Sequence, residues 1–414
     1  MSRRTRPFAL SALPAWVTRA SRVTLPSWVA LLALQSCGEP APAPEAAEGP
    51  GAEGVAAVAP LIDPAAITVQ EAFVLPPAEA SRARLRQPRD IAFDAAGQLY
   101  VLDFEAPDHQ QLLAFDPAGT FAYRFGERDD RADRVGPSDQ LTITPWNYVM
   151  FVDKLDNALT SFLTMGTYVS SAGLSGVGMA VLSLPEYGQF YLKKWDPARR
   201  RAYVLHMQLP VDSVAMVYEV RLPPGQSVRE DARDASFRTA VDQAGRLYVA
   251  FSDVYQVRVL DRTGATVRLI QSSGPAVAKS PREMEDERQR LLARLQAQVG
   301  DVSDSLLQDA ARPDSLFPLV EELAVDPAGR LWVRTHRPER ASGTVYDVFN
   351  EQGQLISWVA VPATVRKTAF SPAGRLYVID ETDPARPAIV GYDVTFGSAA
   401  AEPSEPMERQ PAGS

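Results

Sequence analysis

A chain of 414 residues with 46% hydrophobic side chains can bury a sizeable core, and its length suits one repeat-built domain or two ordinary ones. Its 51 acidic against 42 basic side chains give a net charge of -9, and the five arginines of residues 1–36 stand without any acid, so the remainder is more acidic still. A surface of that sign repels phosphate backbones and anionic lipid headgroups, which excludes nucleic-acid partners and polybasic membrane docking.

In chain order, Arg3, Arg4, Arg6, Arg19 and Arg22 precede an apolar run from Leu25 to Leu34, and Gln35-Ser36-Cys37 follows. A basic flank with such a run reads as an export signal, and the run is too short to span a bilayer. Leu34-Gln-Ser-Cys37 resembles the lipobox of bacterial lipoproteins, in which a Leu three residues before the Cys and a small residue just before it position the thiol for diacylglyceryl transfer. The resemblance implies that residues 1–36 are a lipoprotein-type signal peptide and that Cys37 is the lipid-bearing first residue of an exported chain. That chain would be membrane-anchored and periplasmic or cell-surface facing. A plain secretory signal or an uncleaved anchor is the alternative. Cys37 is the only cysteine, so no intrachain disulfide or thiolate metal cluster is possible. Residues 37–63, rich in Pro, Ala, Glu and Gly, are expected to be a disordered tether, as is the tail 397–414.

From residue 64 onward a phrase recurs. Leu323-Ala-Val-Asp-Pro-Ala-Gly-Arg-Leu-Trp-Val333 has near copies beginning at Ile91, Thr239 and Thr368, each reading as strand, glycine-bearing tight turn, and a second strand opening Leu-aromatic-Val. The aromatics Tyr100, Tyr248, Trp332 and Tyr377 lie 148, 84 and 45 residues apart. Two divergent copies fill the long gap: Met150-Phe151-Val-Asp153, and the stretch Phe190 to Tyr203 with its Asp-Pro-Ala turn, which places Tyr203 on a second strand. A second set of turns, at Phe115-Asp-Pro-Ala-Gly119, Phe162 to Gly166, Leu260 to Gly264 and Phe349 to Gly353, marks the passage from third to fourth strand. The units are thus four-stranded sheets of about 45 residues, the size of a propeller blade, and there are six. The last unit stops after its third strand, Ala388 to Val394, and the alternating segment Ile67 to Leu75 is expected to complete it and close the ring.

The unit Pro88 to Asp103, followed by Leu113 to Gly119 and Phe125-Gly126, resembles the NHL-type repeat of six-bladed propellers over about residues 64–396. The fold class is therefore read as all-β, a six-bladed β-propeller. A helical insertion at 280–312 falls between blades four and five. There Ser280-Pro-Arg-Glu283 forms a capping box ahead of Met284, Leu291, Leu292, Leu295 and Val299 at helical spacing, and a shorter helix is expected from Asp304 to Ala311. The insertion emerges on the face that carries the long loops between second and third strands, where propellers place ligands.

Function must sit where the copies disagree. One position just before the core of the innermost strand carries Asp90, Arg238, Glu322 and Lys367, all expected to line the channel. Blades one and four are opposite, so Asp90 is expected to face Arg238, either as a plug of mutually satisfied charges or as a polar ligand site. The histidines His109, His206 and His336 are expected just after second strands of blades one, three and five. They are metal candidates, but too far apart for a shared zinc without deep loop folding. Asp103, Asp153 and Asp380 are expected to accept backbone hydrogen bonds. Lactonase-type propellers that resemble this architecture hold calcium through Asn, Asp and Glu; Asn147, Asn157 and Asn350 do not fall at innermost-strand starts. No cofactor is expected. The reading favours a binding or scaffold module for a protein or small extracellular ligand, held to the membrane through Cys37, over its alternative, a metal-dependent hydrolase or lyase at the channel.

Overall fold

The computed structural model describes residues 60–397 apart from 76–84, 107–108, 127–134, 137, 197, 209–212, 222–236, 273–275, 300–312, 314, 338–342 and 384–385. The expected signal peptide, Cys37, all of the tail but Gly397, most of the tether and the second insertion helix lie outside the described residues.

The described strands form six four-stranded sheets, a six-bladed propeller. Blade one is β2 (Pro88–Phe93), β3 (Leu99–Ala106), β4 (His109–Phe115) and β5 (Phe121–Phe125); blade two is β6 (Leu141–Ile143), β7 (Tyr148–Asp153), β8 (Ala158–Leu163) and β9 (Tyr168–Gly173). Blade three is β10 (Val177–Ser183), β11 (Gln189–Asp196), β12 (Arg201–Gln208) and β13 (Ser213–Arg221); blade four is β14 (Phe237–Val241), β15 (Leu247–Phe251), β16 (Gln256–Leu260) and β17 (Thr266–Gln271). Blade five is β18 (Glu322–Val325), β19 (Leu331–Thr335), β20 (Thr344–Phe349) and β21 (Leu355–Val361). Blade six joins both ends of the chain: β22 (Val365–Phe370), β23 (Leu376–Asp380), β24 (Ala388–Phe396) and, outermost, β1 (Ile67–Leu75). The β1 register runs from Ile67 opposite Phe396 to Leu75 opposite Ile389, so the expected ring closure is present.

The repeated phrase is scaffold, and its aspartate shows why. In Asp326-Pro-Ala-Gly-Arg-Leu-Trp332, one carboxylate oxygen accepts the Ala328 and Arg330 amides at 3.0 and 2.9 Å, which folds the turn. The other accepts Arg330 Nε at 2.6 Å and Trp332 Nε1 at 3.0 Å, which pins the turn to the second strand. Asp242 repeats this with Arg246 and Tyr248, and Asp94 with Tyr100. Gly329 takes φ +78°, a conformation only glycine adopts without strain. The aromatics these turns orient fill the spaces between blades. Trp332 and Tyr346 of blade five pack with Val378 and Val390 of blade six, and Tyr248 and Val257 of blade four with Leu331 and Val333 of blade five. Each apolar layer thus belongs to two sheets, which makes the ring cooperative.

Blade three departs from expectation by one hairpin. The second strand ends at Asp196 and the third begins at Arg201, so the Asp-Pro-Ala sequence falls between second and third strands; Tyr191, fully buried, is the repeat aromatic, and Tyr203 lies on the third strand. The stretch Gly173 to Gly188 supplies the innermost strand β10. The same Asx-type turn serves both kinds of hairpin, at Asp94 and again at Asp116, so it does not mark hairpin position. The fold's contacts also begin earlier than residue 64: the Leu61 and Ile62 amides donate to Leu355 and Ile356 carbonyls on β21.

The insertion forms α1 (Pro281–Val299). Its capping box is built as read, with Ser280 N on Glu283 Oε2 at 2.7 Å and Glu283 N on Ser280 Oγ at 3.3 Å. A short two-strand stem holds it, with Lys279 N on Ser315 O and Phe317 N on Val277 O, both 2.9 Å. Lys279 and Glu287, both buried, form an ion pair at 2.8 Å that ties the stem to the helix.

Candidate site at the channel mouth

The starts of the innermost strands surround a cavity of about 420 Å³ on the face that carries α1, and Glu287 and Leu291 of the helix form part of its wall. Strand register defines its inner ring. The residue opposite Leu102 in blade one is Asp90; its equivalents are Ala180 in blade three, Arg238 in blade four, Glu322 in blade five and Lys367 in blade six. Arg238, Glu322 and Lys367 line the cavity directly.

Three of the four sequence candidates meet. Lys367 Nζ stands 3.4 Å from Glu322 Oε1 and 3.7 Å from Asp90 Oδ1, an ammonium between two carboxylates from the blades on either side. Asp90 does not pair across the ring with Arg238 as expected. Its carboxylate is drawn into the strand layer, accepting Leu141 N at 2.7 Å and Ile91 N at 3.0 Å, and Lys367 is the cation beside it. Arg238 lies in the wall on blade four.

Burial sets the charge states. It pushes the Asp90 carboxyl up to about 6, against the opposing pull of Lys367 and two backbone donors. Burial acts on Glu322 in the same sense, but Arg334, Lys367 and the Thr368 hydroxyl and amide outweigh it and hold that carboxyl below its ordinary range. Burial would lower the Lys367 ammonium, yet Asp90 and Glu322 carry it above the usual lysine value. Two neighbouring carboxylates are thus pushed in opposite directions, the pattern from which acid-base pairs are made.

Four lining cations, Arg89, Lys193, Arg334 and Arg366, escaped the sequence reading, and two of them sit at one repeat position. Arg334 sits opposite Glu322 on β19, 3.6 Å from its Oε2 and 3.3 Å from Glu321 Oε2. Lys193 sits opposite Ala180 on β11 and is 4% exposed. Both occupy the repeat position held by Leu102, Ala250 and Ile379 in blades one, four and six, where a basic residue is a visible exception. Arg334 was legible on that ground. Lys193 was hidden by the misplaced hairpin of blade three.

The histidines do not converge. His109 opens the third strand of blade one. His206 lies within the third strand of blade three, not after the second, with Nε2 3.2 Å from Gln189 Oε1. His336 follows the second strand of blade five and stacks on Phe317 at 3.6 Å between ring centres. Among the described residues no three His, Cys, Asp or Glu are placed to hold one metal ion. Asp103 accepts the Arg86 and Gln87 amides, Asp153 those of Leu155 and Asp156, and Asp380 those of Thr364 and Thr382, as anticipated. Asn147 and Asn157 serve turns at positive φ, and Asn350 caps a turn.

Neither a protein-family profile nor a curated protein sequence matches the chain. Solved structures do match in fold. A member of the DUF4221 family from Bacteroides vulgatus superposes with TM-score 0.51 at 11% identity, covering 81% of this chain and 100% of its own. A putative exported protein from Bacteroides fragilis gives TM-score 0.50 at 9% identity over 81% and 97%. A gluconolactonase from Xanthomonas campestris gives 0.43 at 14% over 77% and 89%. The first two likenesses agree with the six-bladed propeller of the strand order and say nothing of its chemistry.

Proposed function

We propose that this chain is an exported, lipid-anchored propeller of NHL-like repeat that recognises a small polar ligand at its channel mouth. The carrying observation is the cavity of about 420 Å³, walled where the repeat copies differ and bordered by Glu287 and Leu291 of α1, the one large insertion. A scaffold needs no basic residue at the second-strand position of Lys193 and Arg334, because blades one, four and six fill it with Leu102, Ala250 and Ile379. The volume falls in the range of small-molecule sites. Export and anchoring rest on the basic flank, the apolar run and Cys37. The exported protein from Bacteroides fragilis with the same fold supports export, and no described helix is long and apolar enough to cross a membrane.

Equilibrium dialysis of the full chain against a periplasmic small-molecule extract, read by mass spectrometry, tests the reading. A compound retained by the wild type and lost in Leu291→Trp, which fills the cavity from the helix side, is expected. Retention of nothing, or equal retention by both proteins, overturns it.

Asp90 supports a second reading, a hydrolase or lyase. A carboxyl pushed up to about 6 beside a charged lysine is suited to proton transfer near neutral pH. Its metal-dependent form has the less support, since the Lys367 ammonium occupies the place between the two carboxylates that a cation would take. Metal analysis of the purified chain separates the two: one stoichiometric ion lost in Asp90→Asn favours the metal enzyme.

A further inference from the structure

We propose that the propeller face opposite α1 and the cavity rests on the lipid bilayer through an apolar platform on blades two and three. The inference rests on the anchoring part of the reading above and adds a second membrane contact and an orientation for the domain.

Turns that depart from the repeat are the first observation. The innermost strands start at the cavity and successive strands are antiparallel, so turns from first to second and from third to fourth strand all lie on the opposite face. In blade two, Thr144-Pro-Trp-Asn147 closes as Asp94 to Gly97, Asp242 to Gly245, Asp326 to Gly329 and Ser371 to Gly374 do, with the last amide on the first carbonyl at 2.9 to 3.0 Å. Trp146 therefore stands where blades one, four, five and six carry Ala96, Ala244, Ala328 and Ala373. Met165, in the turn from third to fourth strand, stands where blades one, four and five carry Ala118, Thr263 and Gln352. Small or polar residues build the same turns elsewhere, so turn formation requires neither large side chain.

Contact between these turns is the second. Trp146 packs on Tyr187 of blade three's first turn, 5.6 Å between ring centres, and the Thr164 amide donates to the Asn147 carbonyl at 2.9 Å, which joins Trp146, Met165 and Tyr187 in one surface. Met165 is 72% and Tyr187 74% exposed, and Pro145 and Pro185 of the same turns are exposed as well. Turns 144–147, 163–166 and 184–188 hold one charged residue, Glu186, which pairs with Arg262 at 2.5 Å. Such a patch marks a contact surface, and tryptophan and tyrosine, apolar rings with one polar hydrogen, favour the bilayer-water interface. Where the chain ends emerge selects the bilayer as the occupant. β24 ends and β1 begins on this same face, with the Gly397 amide on the Ala66 carbonyl, and Leu61 and Ile62 bind the start of β21 there. A lipid on Cys37 thus pulls on the domain from this face, and residues 38–60, at about 3.4 Å each when extended, let the platform reach the surface. Blades five and six lie across the ring from blades two and three, so tether and platform hold opposite edges of one face. The acidic protein repels anionic headgroups, which makes zwitterionic lipid the fitting surface. The cavity mouth then faces away from the bilayer.

Flotation with phosphatidylcholine vesicles tests the platform, using residues 37–414 with Cys37→Ser, a chain that carries no lipid and keeps every described residue. It is expected to float with the vesicles, and Trp146→Ala, Met165→Ala and Tyr187→Ala together should weaken the partition at least about tenfold. Trp146→Ala alone, which installs the residue of four other blades, should weaken it severalfold and serves if the triple variant melts early. Leu155→Ala, in the turn from β7 to β8 on the α1 face and 59% exposed, should leave the partition unchanged. Vesicles should slow hydrogen exchange at the three turns and not in α1. No flotation, flotation undiminished in the folded variants, or protection of α1 in place of the turns overturns the proposal. Membrane fractionation of the full chain with Cys37→Ser judges the anchor separately, since release there and flotation of the lipid-free chain are independent results.

Discussion

Lys193 and Arg334 stand at the same repeat position, two blades apart, and each donates to a carbonyl at the start of the next blade's innermost strand, Phe237 and Val365 respectively. The two contacts are one structural idea used twice: a long basic side chain on a second strand reaches over to stitch its blade to the next. The surroundings then diverge. Arg334 is matched by Glu321 and Glu322, while Lys193 faces Ala180. The stitch is shared; the residue on the facing innermost strand is not.

Lys367 holds the charged cluster together, between Asp90 and Glu322. Replacing it by methionine keeps the length of the side chain but leaves Asp90 and Glu322 buried without the ammonium between them. Removing one partner of a buried ion pair costs about 3–5 kcal/mol. Urea denaturation of Lys367→Met should show a loss of that order with unchanged m-value. Adding Asp90→Asn to the same chain should recover part of it; no recovery would mean the two groups are not coupled.

Asp90 also gives the protein a measurable acid dependence. Its folded pKa is raised, from 3.8 to about 6, so the native state binds the proton more strongly than the unfolded chain does. Stability from this group is fully present below about pH 4 and is lost as pH rises through about 6, by up to about 3 kcal/mol. Glu322, held low, acts in the opposite sense and loses its contribution as pH falls below the ordinary carboxylate range. The difference in unfolding free energy between Asp90→Asn and wild type should therefore grow in favour of the variant from pH 4 to pH 7. A flat difference would show that Asp90 titrates normally.

Much of this was legible before any coordinates. The turn aspartates, the glycine at positive φ and the Leu-aromatic-Val strand are local chemistry, so four blades announced themselves through copies of one phrase. Closure was legible because β24 had no fourth-strand partner and Ile67 to Leu75 had no hairpin. Blade three was misread because an Asx turn followed by Pro serves any hairpin, and its own first turn, Leu184 to Gly188, lacks the aspartate. The pairing of Asp90 with Lys367 was not legible because it depends on how far each side chain leans from its strand. The ring order shows neighbours; the backbone donors at Leu141 and Ile91 decide which neighbour Asp90 meets.

The helix insertion should be separable from the ring. Lys279 and Glu287 are buried together at 2.8 Å, and the stem and the capping box anchor the start of α1. Lys279→Met removes the ammonium beside the buried Glu287 carboxylate and should speed hydrogen exchange across α1 severalfold while blade amides keep their protection. Ser280→Ala, which removes the cap, should act in the same direction by about 1 kcal/mol. Uniform loosening of blades and helix would instead make the insertion part of the core.

Ring closure is the remaining global determinant. β1 pairs with β24 along its length, and its Phe73 packs edge-on against Tyr377 at 5.3 Å while Leu75 joins the core between blades six and one. Deleting residues 67–75 exposes the β24 edge and removes both apolar anchors, each contributing about 1.5–3 kcal/mol by burial alone. For a domain of this size that loss lowers the melting temperature by roughly 10 °C. Deleting residues 38–60, whose composition offers almost nothing to bury, should leave it unchanged. Differential scanning calorimetry of the two deletions decides the matter: equal melting temperatures would show that the ring does not depend on β1 for its closure.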